Sequence, residues 1–329
     1  MLDLEELTSV ADESDFSGVA VVSRGDDRTA VIVSGLADRA SRRAITVDTL
    51  FATASATKTF TALTAVSLVE SGELGLTTPL RELVGDQLPH VDPAVTIEHL
   101  LGHTSGVGDY LDEEQLGDVD EHILGVSAHT LESPDDYLPL LAVHRQVSSP
   151  GERFAYNNSG FVMLSIAIER AGGKSFHGLV RERVFEPAGM QTAGFLRTDD
   201  LPEAAAIGYL ENGRSNVFHL PVIGGGDGGA YLNVADMDAF WRSLFEGRIV
   251  SPAMLAVMTT PRSDLPGHDR AYGLGFWLRP SGDPVMLEGM DAGVSFRSAY
   301  DRPSGVGYTV VSNTSGGVWP LAMCLDRQF

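Results

Sequence analysis

Both ends of this chain read as β-sheet and its middle does not, an arrangement that limits the available folds more than any other feature. Residues 16–36 (FSGVAVVSRGDDRTAVIVSGL) are two β-branched runs around a Gly-Asp-Asp turn, the pattern of a hairpin. Strand patterns also occur at 45–54 and return after Tyr272, at 272–279, 285–288, 293–300 and 306–312, separated by Gly, Pro and Asp. An isolated hairpin is marginal in water, so the strands of one end need those of the other. From 72 to 205 the pattern is short helices broken by Pro and Gly, at 95–101, 135–146, 158–171 and 175–186. A further helix is expected at 235–246, with Asn233 as its cap and Asp236 three residues on. The expected fold is α/β (α+β): an antiparallel sheet flanked by helices, formed from both chain ends (1–71 and 207–329), plus a mostly helical domain (72–206). The active-site cleft is expected between them.

Bulk properties narrow the function classes. A formal net charge of −22 argues against nucleic acid or an anionic membrane surface as partner. A lone cysteine, Cys324, excludes an internal disulfide and gives no sign of an oxidising compartment. The first residues, MLDLEELTSVADESDF, are acidic and lack an apolar signal core, and no window approaches the length of a membrane span. The expectation is a cytoplasmic protein with no membrane or nucleic-acid partner. Oligomeric state leaves no mark on the pattern.

Cations are written almost entirely as arginine, with 23 Lys and Arg in total and lysine only at Lys58 and Lys174. Lys58 follows Ser55 by three residues, at the head of the helical pattern 58–70, which carries apolar residues at Phe60, Leu63, Val66 and Val69. Positions i and i+3 share a helix face, so the amine rises beside the hydroxyl. A lysine amine shifts its pKa readily when desolvated and then accepts a proton from serine, whereas a guanidinium does not. Ser55 also opens the helix, where unpaired N–H groups stabilise an oxyanion. The bland alternative is a serine that merely caps a helix.

A second segment, Tyr156-Asn157-Asn158, precedes the helix at 158–171. Tyrosine has a reference pKa of about 10, and a nearby ammonium such as Lys58 would make its phenolate useful as a base. A buried phenol beside an Asn cap is the structural alternative. His99 and His103 stand at i and i+4 but outside a His-Glu-x-x-His order, and His103 is expected to fix its loop. Gly224–Gly229 lacks the Lys-Ser/Thr of a P-loop and reads as a cleft-edge loop, while Lys174 reads as solvated surface. No metal site and no cofactor is expected.

Together these segments resemble the serine β-lactamase and penicillin-binding-protein superfamily, in particular its class C-like branch of β-lactamases, D-Ala-D-Ala carboxypeptidases, D-aminopeptidases and esterases. Phe51-Ala-Thr-Ala-Ser55-Ala-Thr-Lys58 is similar to that family's Ser-x-x-Lys motif, and Tyr156-x-Asn158 to its second motif. Leu101-Gly-His103-Thr-Ser-Gly106, Pro150-Gly-Glu-Arg and Pro187-Ala-Gly-Met190 look like further landmarks in the family's order. The resemblance implies Ser55 as acylated nucleophile, Lys58 as its proton acceptor, Tyr156 as the base serving the leaving group, and Asn158 as a donor to substrate or Lys58.

The third motif departs from the pattern. Where the family carries Lys-Thr-Gly or His-x-Gly, this chain reads Met290-Asp291-Ala292, followed by Gly293 and Ser295. No cation then stands where a substrate carboxylate would dock. Met290, Gly293 and Ser295 are expected to line the substrate site, with the Gly293 amide as an oxyanion donor and Arg297 as a possible substitute cation. The expected function is a serine hydrolase, an esterase or amidase on small acyl substrates. A β-lactamase, carboxypeptidase or D-aminopeptidase, an acyltransferase, and a catalytically weak ligand-binding relative are the alternatives.

Overall fold

The computed structural model describes residues 4–25, 27–113, 115–263, 265 and 269–328. Helix α1 (Leu4–Glu13) leads into strands β1 (Gly18–Arg24) and β2 (Asp27–Ser34), followed by helix α2 (Thr57–Glu70). Helix α3 (Asn158–Gly172) is the longest of the middle region and α4 (Val234–Phe245) follows it. Strands β3 (Ala271–Tyr272), β4 (Trp277–Leu278), β5 (Val285–Asp291), β6 (Val294–Asp301) and β7 (Val306–Ser312) precede helix α5 (Trp319–Asp326).

The strands form one sheet in the order β2-β1-β7-β6-β5-β4-β3, every pair antiparallel, so the hairpin near one end of the chain pairs with the last strand, Ala20 opposite Val310. Period-2 alternation divides β1 between two layers. Val19 and Val21 face a core shared with α2, α3 and α4, while Ala20 and Val22 face Leu7 of α1 and Leu321 and Leu325 of α5. All seven residues of β7 are buried, as a strand covered on both faces requires. The α+β architecture expected from the sequence is therefore present.

Helix α2 is the centre of the molecule. From Thr57 to Leu68 all but one of its residues are buried, and Phe60 meets Phe185 and Phe240 edge-on at 5.3 and 5.4 Å. A helix apolar on every side belongs inside a core, and each large side chain it buries contributes about 1.5–3 kcal/mol. Its apolar neighbours come from the middle of the chain as well as the sheet: Val95, Leu131, Phe161 and Val180 belong to the same core as Val19 and Val311.

Several local expectations need correction. Within 45–54 only Phe51–Ala52 is strand, paired with Tyr231–Leu232. A turn closed by Thr49 N to Thr46 O (3.1 Å) and Thr46 N to Thr49 Oγ1 (2.9 Å) interrupts the run. The helix expected over 135–146 stops at Leu141, because the chain beyond it bonds a neighbouring loop, Val147 N to Gly106 O at 2.8 Å and Gln146 Nε2 to Ser105 O at 2.6 Å. The strand expected at 272–279 is split into β3 and β4 around Gly275 (φ 81), whose missing side chain lets the turn sit on Ala62. Helices α1 and α5 lie outside the sequence expectations. By contrast α4 starts as expected, with Asn233 and Asp236 capping each other.

Candidate active site

Ser55 lies in a short 3₁₀ turn, Ala54–Ala56, at the head of α2. The turn is held by Thr53 N to Ala230 O (2.8 Å) and by the Thr57 hydroxyl, which accepts from Ala230 N (3.0 Å) and bonds Thr53 Oγ1 (3.0 Å). Ala54, immediately before the serine, takes φ 46, a left-handed conformation costly for a residue with a Cβ. Opposite the turn runs β5. It pairs with β4 only through Val285 and Met286, and its next stretch packs against the serine turn so closely that a Cβ at Gly289 would collide with the backbone nitrogens of Ser55 and Ala56.

Lys58 rises one turn along α2 and is 2% exposed. Its Nζ donates to Ser55 Oγ (2.8 Å), Asn158 Oδ1 (2.7 Å) and the Asp227 carbonyl (2.7 Å). Burial pulls its pKa below the ordinary lysine value, and the carboxylates of Asp227, Glu113, Asp291 and Asp109 oppose that shift.

Asn158 begins α3, capped by Asn157, whose side chain accepts from Gly160 N at 2.6 Å. Asp109 supports the same helix start, accepting from Asn158 N (2.7 Å) and Ser159 N (2.8 Å). The Asn158 amide group donates to Leu111 O (2.8 Å) and Glu113 Oε1 (3.2 Å), which leaves its oxygen for Lys58. The Tyr156 phenol lies beside Ser55, and its ring centroid is 5.0 Å from Lys58 Nζ. The phenol pKa is pushed well above the usual tyrosine value, by burial first and then by Glu113. Tyr156 is therefore a neutral phenol at rest rather than a standing phenolate.

His103 underlies this group. It is buried at φ 54, its Nδ1 accepts from Asn157 N (3.1 Å), and its ring packs 4.4 Å from that of Tyr156. Burial holds it neutral, which suits an acceptor nitrogen. The neighbouring His99 caps its own helix, its Nδ1 accepting from Thr96 N (3.2 Å). Among the described residues no three potential metal ligands cluster. Lys174 pairs with Glu182 at the surface, and the 224–229 loop borders the cleft and supplies the Asp227 carbonyl.

Thus Ser55, Lys58, Tyr156 and Asn158 converge. The third-motif expectations fare differently. Met290 is 44% exposed and lines the cleft with Ser55 and Tyr156. Ser295 does not reach it: its hydroxyl is buried, donating to Thr314 O (2.7 Å) and accepting from Val318 N (3.2 Å). The Gly293 amide is occupied by Ser315 Oγ at 2.7 Å, since Gly293 sits in the β5–β6 turn rather than on the strand beside the serine. Arg297 is buried between Glu288 (2.5 Å) and Asp326 (2.9 Å), so its charge is already matched. Tyr110, Glu113 and Asp227, whose roles the sequence did not reveal, complete the site, the Tyr110 hydroxyl donating to Asp227 Oδ2 at 2.5 Å.

A sheet with helices on both faces and a Ser-x-x-Lys turn opposing Tyr-x-Asn across a cleft define the β-lactamase and penicillin-binding-protein-like superfamily of serine hydrolases. The family model described as Beta-lactamase matches residues 6–328, and the chain belongs to that family. It is 28% identical over 281 residues to the putative penicillin-binding protein PbpX of Bacillus subtilis, covering 84% of this chain and 66% of that protein. It is 34% identical over 201 residues to the esterase EstB of Burkholderia gladioli, covering 58% and 49%. The chain thus spans less than two thirds of the length of these relatives. The crystal structure of a penicillin-binding protein from Bacillus halodurans superposes with a TM-score of 0.91 at 35% identity, over 98% of this chain and 100% of that one. Among the described residues no helix is long and apolar enough to cross a membrane.

Proposed function

We propose that this protein is a serine hydrolase working through an acyl-enzyme at Ser55, with small esters or amides as substrates. The observation that carries the reading is the 2.8 Å contact between Ser55 Oγ and the Nζ of a lysine that is 2% exposed. A buried amine is the form of lysine that loses its proton at moderate pH. Neutral Lys58 takes the hydroxyl proton as Ser55 attacks the acyl carbon, and the helix-start amide of Ser55 receives the oxyanion. Tyr156, beside Ser55, gives its phenolic proton to the departing alkoxide or amine and takes one back from the Lys58 ammonium, so it is a neutral phenol before and after.

The cleft favours substrates without a carboxylate. Among the described residues lining it on either side of Ser55 there is no Lys or Arg, while Glu113, Asp227 and Asp291 are present; Glu288 there is already paired with Arg270 and Arg297. An anionic substrate would be buried there without a partner, at a cost of several kcal/mol. The decisive measurement is intact-protein mass spectrometry after exposure to a fluorophosphonate. A single adduct on the native protein, absent from Ser55→Ala, is expected; an unlabelled native protein would leave the ligand-binding alternative.

A further inference from the structure

The loop that borders the cleft beside Lys58, Gly224-Gly225-Gly226-Asp227-Gly228-Gly229, has five glycines and a single residue with a side chain. Glycine restricts the backbone least and loses the most conformational entropy when ordered, so such a loop does not hold a shape by itself. Its shape matters here, because the Asp227 carbonyl accepts from Lys58 Nζ at 2.7 Å. Close packing explains the missing side chains: a Cβ on Gly226 would stand 2.3 Å from Phe161 O of α3, and one on Gly224 would stand 2.5 Å from Gly228 O. The loop is pressed against α3 and folded on itself, and what fixes it comes from other elements. Thr61 Oγ1 of α2 donates to Gly226 O at 2.7 Å, and His177 Nε2 bonds Gly224 O at 2.8 Å. Tyr110 ties the side chain, its hydroxyl donating to Asp227 Oδ2 at 2.5 Å. Tyr110 is itself fixed to the start of α3, where its N–H donates to Ser159 Oγ at 2.9 Å, one residue past Asn158. Asp227 is 7% exposed, so the phenol stands in for the water its carboxyl has lost.

We infer that Tyr110 and Asp227 are a positioning pair for Lys58: the phenol holds the Asp227 carboxyl, and Asp227 through its own carbonyl holds the lysine amine against Ser55. The tie of Tyr110 falls on the same residue whose carbonyl takes the amine, so freeing the carboxyl frees the carbonyl. The pair also acts through charge. Burial lowers the Lys58 pKa, and Asp227 leads the carboxylates that oppose the shift, ahead of Glu113, Asp291 and Asp109. The Tyr110 hydrogen bond helps keep Asp227 ionised against its own burial. His103 and Tyr156, the other titratable groups beside the amine, are held neutral by burial. The inference rests on the proposed acyl-enzyme chemistry at Ser55 and names the groups that set the geometry and titration of its base.

The test is the burst rate of acylation by p-nitrophenyl acetate from about pH 5 to 9, a range that spans a lowered lysine titration. Burst amplitude gives the fraction of competent sites, so each rate is read per folded enzyme. Asp227→Asn keeps an acceptor for the phenol and removes the charge, and is expected to move the midpoint of the rising limb down by about one pH unit. Tyr110→Phe keeps the ring and removes the tie, and is expected to lower the plateau rate by about tenfold or more, as a misplaced catalytic group does. With Asp227→Ala there is no carboxyl left to hold, so adding Tyr110→Phe should cost less than about twofold further. An unmoved midpoint in Asp227→Asn, or an unchanged plateau in Tyr110→Phe, would overturn the pair while the native burst still upheld the acyl-enzyme. Losses that multiply in the Tyr110→Phe, Asp227→Ala double variant would show two independent residues and equally overturn it. A native protein with neither a burst nor a fluorophosphonate adduct would sink the acyl-enzyme reading and the pair with it.

Discussion

Lys58 Nζ donates to the main-chain carbonyl of Asp227 at 2.7 Å, and with Ser55 and Asn158 this occupies all three hydrogens of an ammonium. This arrangement suits a charged lysine. To take the serine proton it must first lose one of its own, and its lowered pKa makes that loss accessible. Asn158 and the Asp227 carbonyl hold the amine in place in either protonation state.

The acylation rate should therefore rise with pH, through a midpoint below the ordinary lysine value of about 10.4. Lys58→Arg should remove this limb and lower the rate by about 10³ or more, nearly as far as Lys58→Ala, since a guanidinium keeps the charge and cannot serve as the base. Single-turnover burst measurements across pH check this. An arginine variant acylating at close to the native rate would reduce Lys58 to an electrostatic part.

Tyr156→Phe should slow turnover by about 10². Because burial raises the phenol's pKa, no loss of activity below pH 10 should trace to its ionisation. Equal activity with a lowered melting temperature would instead mark a residue that only packs against His103 and Trp277.

Asp291 gives a stability prediction with a definite sign. Burial raises its carboxyl to about 7 from the ordinary aspartate value of 3.8, opposed in part by Lys58. The native state binds this proton more tightly than the unfolded chain does. Stability from this group is full below about pH 4 and is lost as pH rises through about 7. Asn does not titrate, so Asp291→Asn should melt higher than the native protein at pH 8, with the advantage disappearing toward pH 4. Parallel melts at the two pH values decide it, and a constant difference would contradict the raised pKa.

Arg297 is a structural ion-pair residue in this fold rather than a receptor for substrate. Arg297→Leu should cost about 3 kcal/mol, as loss of one partner from a buried pair does. It should leave the preference between neutral and anionic substrates as it was. Denaturant titration and a substrate panel separate the two effects.

The exposed Met290 bears on that preference directly. The native enzyme should hydrolyse p-nitrophenyl butyrate with a kcat/KM at least about 10² above that for nitrocefin, and Met290→Lys should narrow the gap by supplying a cation. Efficient nitrocefin turnover by the native protein would show that another group receives the carboxylate.

Local sequence carried much of this. The Ser55–Lys58 pairing is a helix-period relation, and the capping of α4 by Asn233 and Asp236 is written within four residues. The pairing of the two chain ends followed from the need to partner a hairpin. What escaped notice depends on long-range geometry. Asp227 bears on Lys58 across 169 residues of sequence, and Asp109 reaches the start of α3 from a loop 49 residues earlier. Ser295 and Gly293 were placed in the cleft by motif spacing, yet one faces the interior and the other turns a corner, a distinction fixed by the register of β5 on β6: Met290 opposes Ser295. Helices α1 and α5 are short, and their apolar faces make sense only against a sheet layer the local pattern does not display.

The abutment of Gly289 on the serine turn also sets when the site can exist. Ser55 and Gly289 are separated by 234 positions (289 − 55). A ribosome-bound chain that has already released Ser55 and Lys58 still lacks the wall they face, together with the strands that seat it. On the proposed reading Ser55 is thus kept idle through most of synthesis and gains its setting only once β5 and the strands beside it are laid down. A truncation within β5 should yield a chain carrying every residue of the first two motifs and no reactive serine.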